Sequence, residues 1–139
     1  MSVPVFRRSE NKLQVYKSTV EMIKYTMQMI ENDKIFPKKS RWNIGSRITD
    51  NCLDSLIKIR QANKIQPKTI EQAKFRLKLQ QEALLHFDAL WSMMTIAYET
   101  YSIPSEKIEI WSNFLLTAEN QLTAWRNHDK KCYKTEFNF

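Results

Sequence analysis

Apolar side chains recur every three or four residues through most of this 139-residue chain. That spacing places them on one face of an α-helix, whereas a half-buried strand alternates at every second position. Four segments carry the pattern, over residues 10–33, 44–64, 68–101 and 105–129. Their apolar stripes are Leu13, Tyr16, Val20, Ile23, Met27 and Ile30; Ile44, Ile48, Cys52, Leu56 and Ile59, widened by Leu53 and Ile57; Ile70, Ala73, Leu77, Leu84, Phe87, Trp91, Met94, Tyr98 and Tyr101; and Ile108, Trp111, Leu115, Ala118, Leu122 and Trp125. The sequence therefore predicts four amphipathic helices.

Proline residues separate the four segments. Pro37, Pro67 and Pro104 each lie between two stripes, where a helix must end or begin. Ser105 is expected to cap the fourth helix. Because the connections are only a few residues long, successive helices are expected to lie antiparallel. We predict an all-α protein, a single up-down-up-down antiparallel four-helix bundle over residues 1–139 with flexible ends at 1–9 and 130–139.

Composition narrows the class of protein further. The chain has one glycine where about ten are average, which argues against hairpin-rich folds and Gly-rich nucleotide sites. No apolar run approaches the roughly 18 residues of a membrane span, and the first residues lack the apolar segment of a signal peptide. Cys52 and Cys132 are too few for a disulfide framework. We expect a cytoplasmic protein with no membrane partner.

The net charge of +7 is unevenly distributed. Residues 1–67 carry 13 basic and six acidic side chains, whereas residues 68–139 carry nine of each. In an up-down bundle, the start of helix one, the end of helix two, the start of helix three and the end of helix four meet at one end. Those stretches hold 14 basic residues, Lys12 included, against Glu10, Glu71 and Asp129. A second, smaller basic patch is the loop with Lys34, Lys38, Lys39, Arg41 and Arg47.

Gathered cations repel one another, and a phosphate backbone would relieve that repulsion, so we expect nucleic acid as a partner. The candidate nucleic-acid-binding residues are Arg7, Arg8, Lys38, Lys39, Arg41, Lys58, Arg60, Lys64, Lys68, Lys74, Arg76, Lys78, Arg126, Lys130, Lys131 and Lys134. Nearby aromatic rings, Trp42, Tyr133, Phe137 and Phe139, can stack on unpaired bases. The alternative is a solvated charged face with its aromatic residues packed locally.

The third helix carries a second apolar stripe, formed by Phe75, Leu79, Leu90, Met93 and Ile96. One broad stripe suffices for a helix in a small bundle, so the second predicts a homo-oligomer. The alternative is a central helix that is buried on several sides. Gln80 and Gln81 interrupt the main stripe and are expected to set the register or bridge water.

The residues offer little for catalysis. Di-iron bundles use Glu-x-x-His, and no Glu precedes His86 or His128 at that spacing. His128 and Cys132 are only two ligands, too few for a metal site, and Cys52 lies on an apolar stripe. Helical ribonucleases of the HEPN class place an Arg several residues before a His, which neither histidine has. We therefore predict a non-enzyme with no catalytic residue, no metal and no cofactor.

One stretch resembles a known family. Residues 36–45 read Phe-Pro-Lys-Lys-Ser-Arg-Trp-Asn-Ile-Gly, and the following helix ends Arg60-Gln61-Ala62-Asn63. This resembles the pattern of small four-helix proteins that comprise the accessory variability determinant of diversity-generating retroelements and the proteins encoded in ribosomal-RNA intervening sequences. The closing Leu-Thr-Ala-Trp at 122–125 is similar to the family's Leu-Gly-x-Trp, with Thr in place of Gly.

The retroelement branch fits better, because the intervening-sequence branch usually closes helix two with an Asn-x-x-Glu-Gly-like run and this chain reads Ala-Asn-Lys-Ile. The resemblance implies a homopentamer that binds a reverse transcriptase and nucleic acid and supports mutagenic copying of a template RNA. His86, Asp88 and Glu99 stand where lateral basic residues are expected, so the polyanion is expected at the basic end and the loop of residues 38–41. Alternatives are an intervening-sequence protein, a protein-binding scaffold and a helical nuclease.

Overall fold

A computed structural model describes residues 10–139, with side chains from residue 14 onward. The chain forms helix α1 (Glu10–Glu31), a short 3-10 helix (Lys38–Trp42), α2 (Ile44–Lys64), α3 (Ile70–Tyr101) and α4 (Ser105–Phe137). No strand occurs between residues 10 and 139, so the predicted all-α class is confirmed. The predicted flexible end at residues 1–9 lies outside the described residues.

The C-terminal end is helical rather than flexible. We expected residues 130–139 to be frayed, but α4 continues to Phe137. Tyr133 is buried against Ala73 and Leu77 of α3, and Phe137 packs on the same cluster. These apolar contacts hold the last two turns of α4 in place, and the helical spacing of Trp125, Asp129 and Tyr133 already continued the buried stripe.

Each helix packs against two others: α1 against α2 and α4, and α3 against α2 and α4. Lys58 of α2 pairs with Glu82 of α3. Asn51, two turns earlier in α2, contacts His86, one turn later in α3. Residue numbers thus fall along one helix as they rise along its neighbour. The same inverse order relates α4 to α3, through Gln80 with Asp129, Trp91 with Glu119, and Met94 with Ser112. Helix α4 also contacts α1, through Trp111 and Thr26.

The buried face of α1 differs from the predicted one. We expected Tyr16, Val20 and Met27 to face the core, but Tyr16 and Val20 are only half-buried and Met27 is exposed. Thr19 and Thr26 are fully buried instead. Their hydroxyls donate to main-chain carbonyls four residues earlier, at 2.8 and 2.7 Å, so burying them leaves no unpaired donor. The core face of α1 is therefore partly polar.

Five of the six stripe residues predicted for α4 are buried, namely Trp111, Leu115, Ala118, Leu122 and Trp125, and the sixth, Ile108, is half-buried. Trp111 also donates its indole N–H to the Thr26 hydroxyl at 2.8 Å, which satisfies a polar group deep in the core. In α2, the stripe residues Ile48, Cys52 and Ile59 are buried. The flanking Leu53 and Ile57 are exposed.

The connections explain where helices begin. Thr69 caps α3 by accepting from the Gln72 backbone N–H at 3.2 Å, and the Gln72 side chain accepts from the Lys68 N–H at 2.7 Å. Pro104, not Ser105, occupies the cap position of α4, and no side chain caps that helix. Proline at this position fixes the backbone angle for helix entry and has no N–H to satisfy.

The single glycine marks a close approach between helix and loop. A Cβ added at Gly45 would lie 3.2 Å from both the Ile30 side chain and the Ser40 carbonyl oxygen. Gly45 is the second residue of α2, shortly after the 3-10 helix ends at Trp42, and its backbone does not adopt positive φ. Close packing, not backbone freedom, therefore accounts for glycine here.

The core consists of two apolar clusters. The main cluster runs through all four helices, and the smaller one contains Ala73, Leu77 and Tyr133 with Phe137 packed against it. Over residues 10–139, no helix combines the length and apolarity that crossing a bilayer requires.

Candidate nucleic-acid interface

Three of the predicted basic stretches meet at one end of the molecule, here called the basic pole: the last turns of α2, the first turns of α3 and the last turns of α4. The Arg76 side chain of α3 shows their proximity. Its Nη1 donates to the Ile65 carbonyl after α2 at 2.7 Å, and its Nε donates to Asp129 Oδ2 of α4 at 2.8 Å. The fourth predicted contributor, with Arg7 and Arg8, lies outside the described residues.

Arg76 itself is not part of the surface. It is 2% exposed, paired with Asp129 and stacked against Trp125 at 5.1 Å and Tyr133 at 6.0 Å. Our expectation that it contacts phosphate is therefore corrected: its donors are used inside the protein. Arg76 lies between Ala73 and Gln80 on the buried face of α3, and this position in the stripe is the signal that charge counting overlooked.

Two further basic residues also hold helices together. Arg126 is half-buried and donates from Nε to the Leu77 carbonyl oxygen at 3.1 Å, which joins α4 to α3. Lys58 Nζ lies 2.9 Å from Glu82 Oε2, and this hydrogen bond holds the pKa of the Glu82 carboxyl below its usual range. These contacts leave Arg126 and Lys58 fewer donors for a ligand.

The groove at the pole is lined by the cations with the greatest freedom to bind phosphate. Lys130, Lys131 and Lys134 surround a cavity of about 320 Å³ together with Leu77 and Phe139. All three lysines are exposed, and none forms an ion pair with any side chain of residues 14–139. The groove combines positive charge with apolar walls.

The remaining candidates at the pole are exposed and spread around it. Lys74 Nζ lies 5.5 Å from the Phe139 ring centroid, and the Arg60 guanidinium lies 5.9 Å from the Tyr16 ring centroid. Lys64, Lys68 and Lys78 are also exposed and have no acidic partner within the described side chains. The exposed acids Glu71 and Glu136 reduce the positive charge locally.

The predicted aromatic residues of the tail have different environments. Tyr133 is 7% exposed and its ring contacts Phe137 at 5.8 Å, so it is unavailable for stacking on a base. Burial raises the pKa of its hydroxyl to about 12. Phe139 is exposed at the edge of the groove. Phe139 is thus the better placed of the three rings to contact a ligand.

The second basic patch, in the loop, is only partly free. Arg41 donates to the Ile30 and Glu31 carbonyls at the end of α1, at 3.3 and 2.7 Å, and pairs with Asp33. Lys38 also approaches Asp33, at 3.8 Å. Lys39 is exposed and is not ion-paired within residues 14–139. Arg41 therefore anchors the loop, and Lys39 is the better candidate for ligand contact.

The histidines and cysteines form no larger cluster. His86 Nδ1 lies 2.9 Å from Asn51 Oδ1, and His128 Nε2 lies 3.6 Å from Cys132 Sγ on the exposed face of α4. Across the described part of the chain, no three His, Cys, Asp or Glu side chains converge as metal ligands would. Cys52 is a core residue, as predicted, and burial raises the pKa of its thiol to about 12.

Comparison with known proteins adds no family assignment. No family model, curated protein or solved structure matches the chain. The resemblance to the retroelement accessory proteins therefore rests on the short motifs at residues 36–45 and 122–125, and the function must be inferred from the geometry of the basic pole.

Proposed function

We propose that this chain is a non-catalytic accessory protein of a diversity-generating retroelement, which binds template RNA or cDNA and the reverse transcriptase in the cytoplasm. The observation that carries the proposal is the groove of Lys130, Lys131 and Lys134 beside Phe139, whose cations have no acidic partner within the described side chains. An up-down-up-down antiparallel bundle is part of the proposal and is supported by the inverse order of contacts between neighbouring helices.

The proposed mechanism is electrostatic docking. Each lysine that neutralises a phosphate releases a counterion from the nucleic acid, so binding is sequence-independent and falls steeply with salt. The groove lysines, together with Lys68 just before α3 and Lys74 in its first turns, would contact the backbone. Phe139 offers an apolar edge for an unpaired base. The buried Arg76 keeps the three helix ends together and so positions the surface lysines.

Contacts with protein partners are the second part of the proposal. Phe75, Leu85 and Ile96 of α3 are each more than half exposed. They support a protein-covered face, which the family resemblance assigns to a homopentamer and the reverse transcriptase. Leu79 and Leu90 of the predicted second stripe are buried in the chain's own core, so they add nothing to this face.

A salt titration with matched variants tests the nucleic-acid proposal. Lys130→Ala with Lys134→Ala removes two cations from the pole, and Lys24→Ala with Lys107→Ala removes two exposed cations elsewhere. We expect the pole variant to bind single-stranded RNA more weakly, equally for all sequences, and to lower the salt slope by about 1.4. The control should stay near the parent protein, because charges beyond about 8 Å are screened at physiological salt.

Equal losses in both variants would refute the pole as the binding site and leave net charge as the cause. If no salt-sensitive binding occurs, the protein-binding scaffold is favoured, and light scattering with the partner would detect it. RNA cleavage that is abolished by His86→Ala or His128→Ala would instead identify a nuclease.

A further inference from the structure

Trp42 stands apart from the other three tryptophans. It is 89% exposed, whereas Trp111 and Trp125 are buried and Trp91 is half-buried with its indole N–H donating to Glu119 Oε2 at 3.1 Å. A tryptophan side chain carries roughly 150–250 Å² of surface, and most of that area on Trp42 is in water. Tryptophan is rarely this exposed, so the ring is a candidate contact for a ligand.

Hydrogen bonds hold the loop backbone on both sides of this ring. Arg41, the preceding residue, is tied to two carbonyls at the end of α1 and to Asp33. Ser40 is buried, its hydroxyl donates to the Pro37 carbonyl at 2.6 Å, and the Asn43 N–H donates to the Ser40 carbonyl at 3.3 Å. The backbone next to Trp42 is therefore already ordered, so binding would mainly have to fix the side-chain torsions of the ring.

Basic residues flank Trp42 in the sequence. Between residues 32 and 49 the chain carries five basic residues and one acid, and that acid, Asp33, is already engaged by Arg41 and Lys38. Lys34, Lys39 and Arg47 are exposed, and none is ion-paired with a described side chain. The first turn of α2 also bears no acid, so the positive end of its dipole is uncompensated.

We infer that Trp42 stacks on an unpaired base of single-stranded nucleic acid while Lys39 and Arg47 contact the adjacent phosphates. This inference rests on the proposed function and adds a second binding site to it. A planar ring flanked by cations matches a base flanked by phosphates, and stacking is available to any base that is not paired in a duplex. The site therefore selects single strands over duplexes.

The two sites lie at opposite ends of α2. That helix has 21 residues, so the loop and the basic pole are separated by about 30 Å. A strand with one nucleotide per 3.4 Å needs roughly nine nucleotides to reach from one site to the other. A longer strand can occupy both sites at once, and the second contact is then intramolecular, which raises the overall affinity.

Fluorescence titration tests the inference directly. Because Trp42 is the one highly exposed indole, a single strand of about 20 nucleotides should quench the long-wavelength part of the emission, and Trp42→Ala should abolish that quenching. The affinity of Trp42→Ala should fall about 5- to 150-fold, the loss expected for one stacked base. Trp42→Phe keeps a ring and should lose far less. Leu116→Ala, another exposed apolar truncation, is the matched control and should bind as the parent does.

Length and strandedness complete the test. The effect of Trp42→Ala should be larger for a strand of about 20 nucleotides than for one of about five bound at the pole, and it should be absent for duplex. Unchanged binding by Trp42→Ala, with loss in the Lys130→Ala/Lys134→Ala variant, would overturn this inference and leave the proposed function intact. Equal loss in Trp42→Phe, or a change in oligomer size without nucleic acid, would also overturn it. Absence of any salt-sensitive nucleic-acid binding by the parent protein would refute the proposed function itself.

Discussion

Removing the charge of Arg76 is expected to destabilise this fold strongly. The Arg76→Met variant keeps a long apolar side chain between Trp125 and Tyr133 but leaves Asp129 buried without its cation. It also leaves the Ile65 carbonyl without the donor that lies 2.7 Å away in the parent protein. Both consequences destabilise the folded state.

The magnitude follows from the burial of the pair. Breaking a buried ion pair by removing one partner costs about 3–5 kcal/mol, because the other charge remains in the interior. Asp129 retains one hydrogen bond, from Gln80 Nε2 at 2.7 Å, which offsets only part of that cost. We therefore expect the free energy of unfolding to fall by about 3–5 kcal/mol, a large share of the roughly 5–15 kcal/mol of a typical domain.

Urea denaturation followed by circular dichroism measures this loss, and two variants make the result interpretable. Lys74→Met removes an exposed charge from the same helix and should change stability by less than about 0.5 kcal/mol. Arg76→Met with Asp129→Leu removes both charges and should recover part of the loss, because no stranded carboxylate remains but the buried Gln80 amide loses its partner. A loss below about 1 kcal/mol for Arg76→Met alone, or no recovery in the double variant, would refute this account of the pair.

Three further outcomes are expected. Cys132 is exposed, whereas Cys52 is buried and its thiol pKa is raised to about 12, so a thiol reagent should label only Cys132 in the native protein. Cys132→Ser should remove that labelling, and rapid modification of Cys52 in the native protein would contradict its burial. Because burial raises the folded-state pKa of Tyr133 to about 12, its contribution to stability is full below pH 10 and is lost as pH rises towards 12. Tyr133→Phe should flatten that part of the plot of stability against pH, and an unchanged slope would contradict the raised pKa. Gly45→Ala should lower stability by roughly 1 kcal/mol in thermal unfolding, because the steric cost of the added Cβ exceeds the gain in helix propensity. Ser46→Ala, at the next and exposed position, should not lower stability. A more stable Gly45→Ala variant would show that the loop can move to accommodate the Cβ.

The sequence predicts the fold class well where apolar spacing is unambiguous. In α4 the stripe from Trp111 to Trp125 is buried as expected, because its apolar side chains repeat at the helical spacing over about four turns. In α1 the spacing was only partly right, because Ile23 and Ile30 are buried whereas Met27 is exposed. Thr19 and Thr26 look polar in a stripe analysis, yet each hydroxyl is satisfied by its own helix and can be buried.

For charged residues, too, the local sequence pattern did not show which side chains are buried. Counting cations identified the helix ends that meet, but it treated Arg76 as equivalent to the exposed Lys74 and Lys78. Only the position of Arg76 relative to Ala73 and Leu77 distinguishes it, and its partner Asp129 lies 53 residues away in the sequence. A pair with that separation has no local pattern, so its formation depends on how α3 and α4 pack.

The two-part core has a consequence for how the basic pole behaves over time. The Arg76–Asp129 pair lies between the main cluster and the small one around Tyr133, so we expect the first turns of α3 and the last turns of α4 to open together as a local unit. Their amide protons should exchange with solvent through local opening, faster than those of the central turns. A strand bound across the groove would fasten these two helix ends to each other, and slower exchange at the pole would accompany its binding.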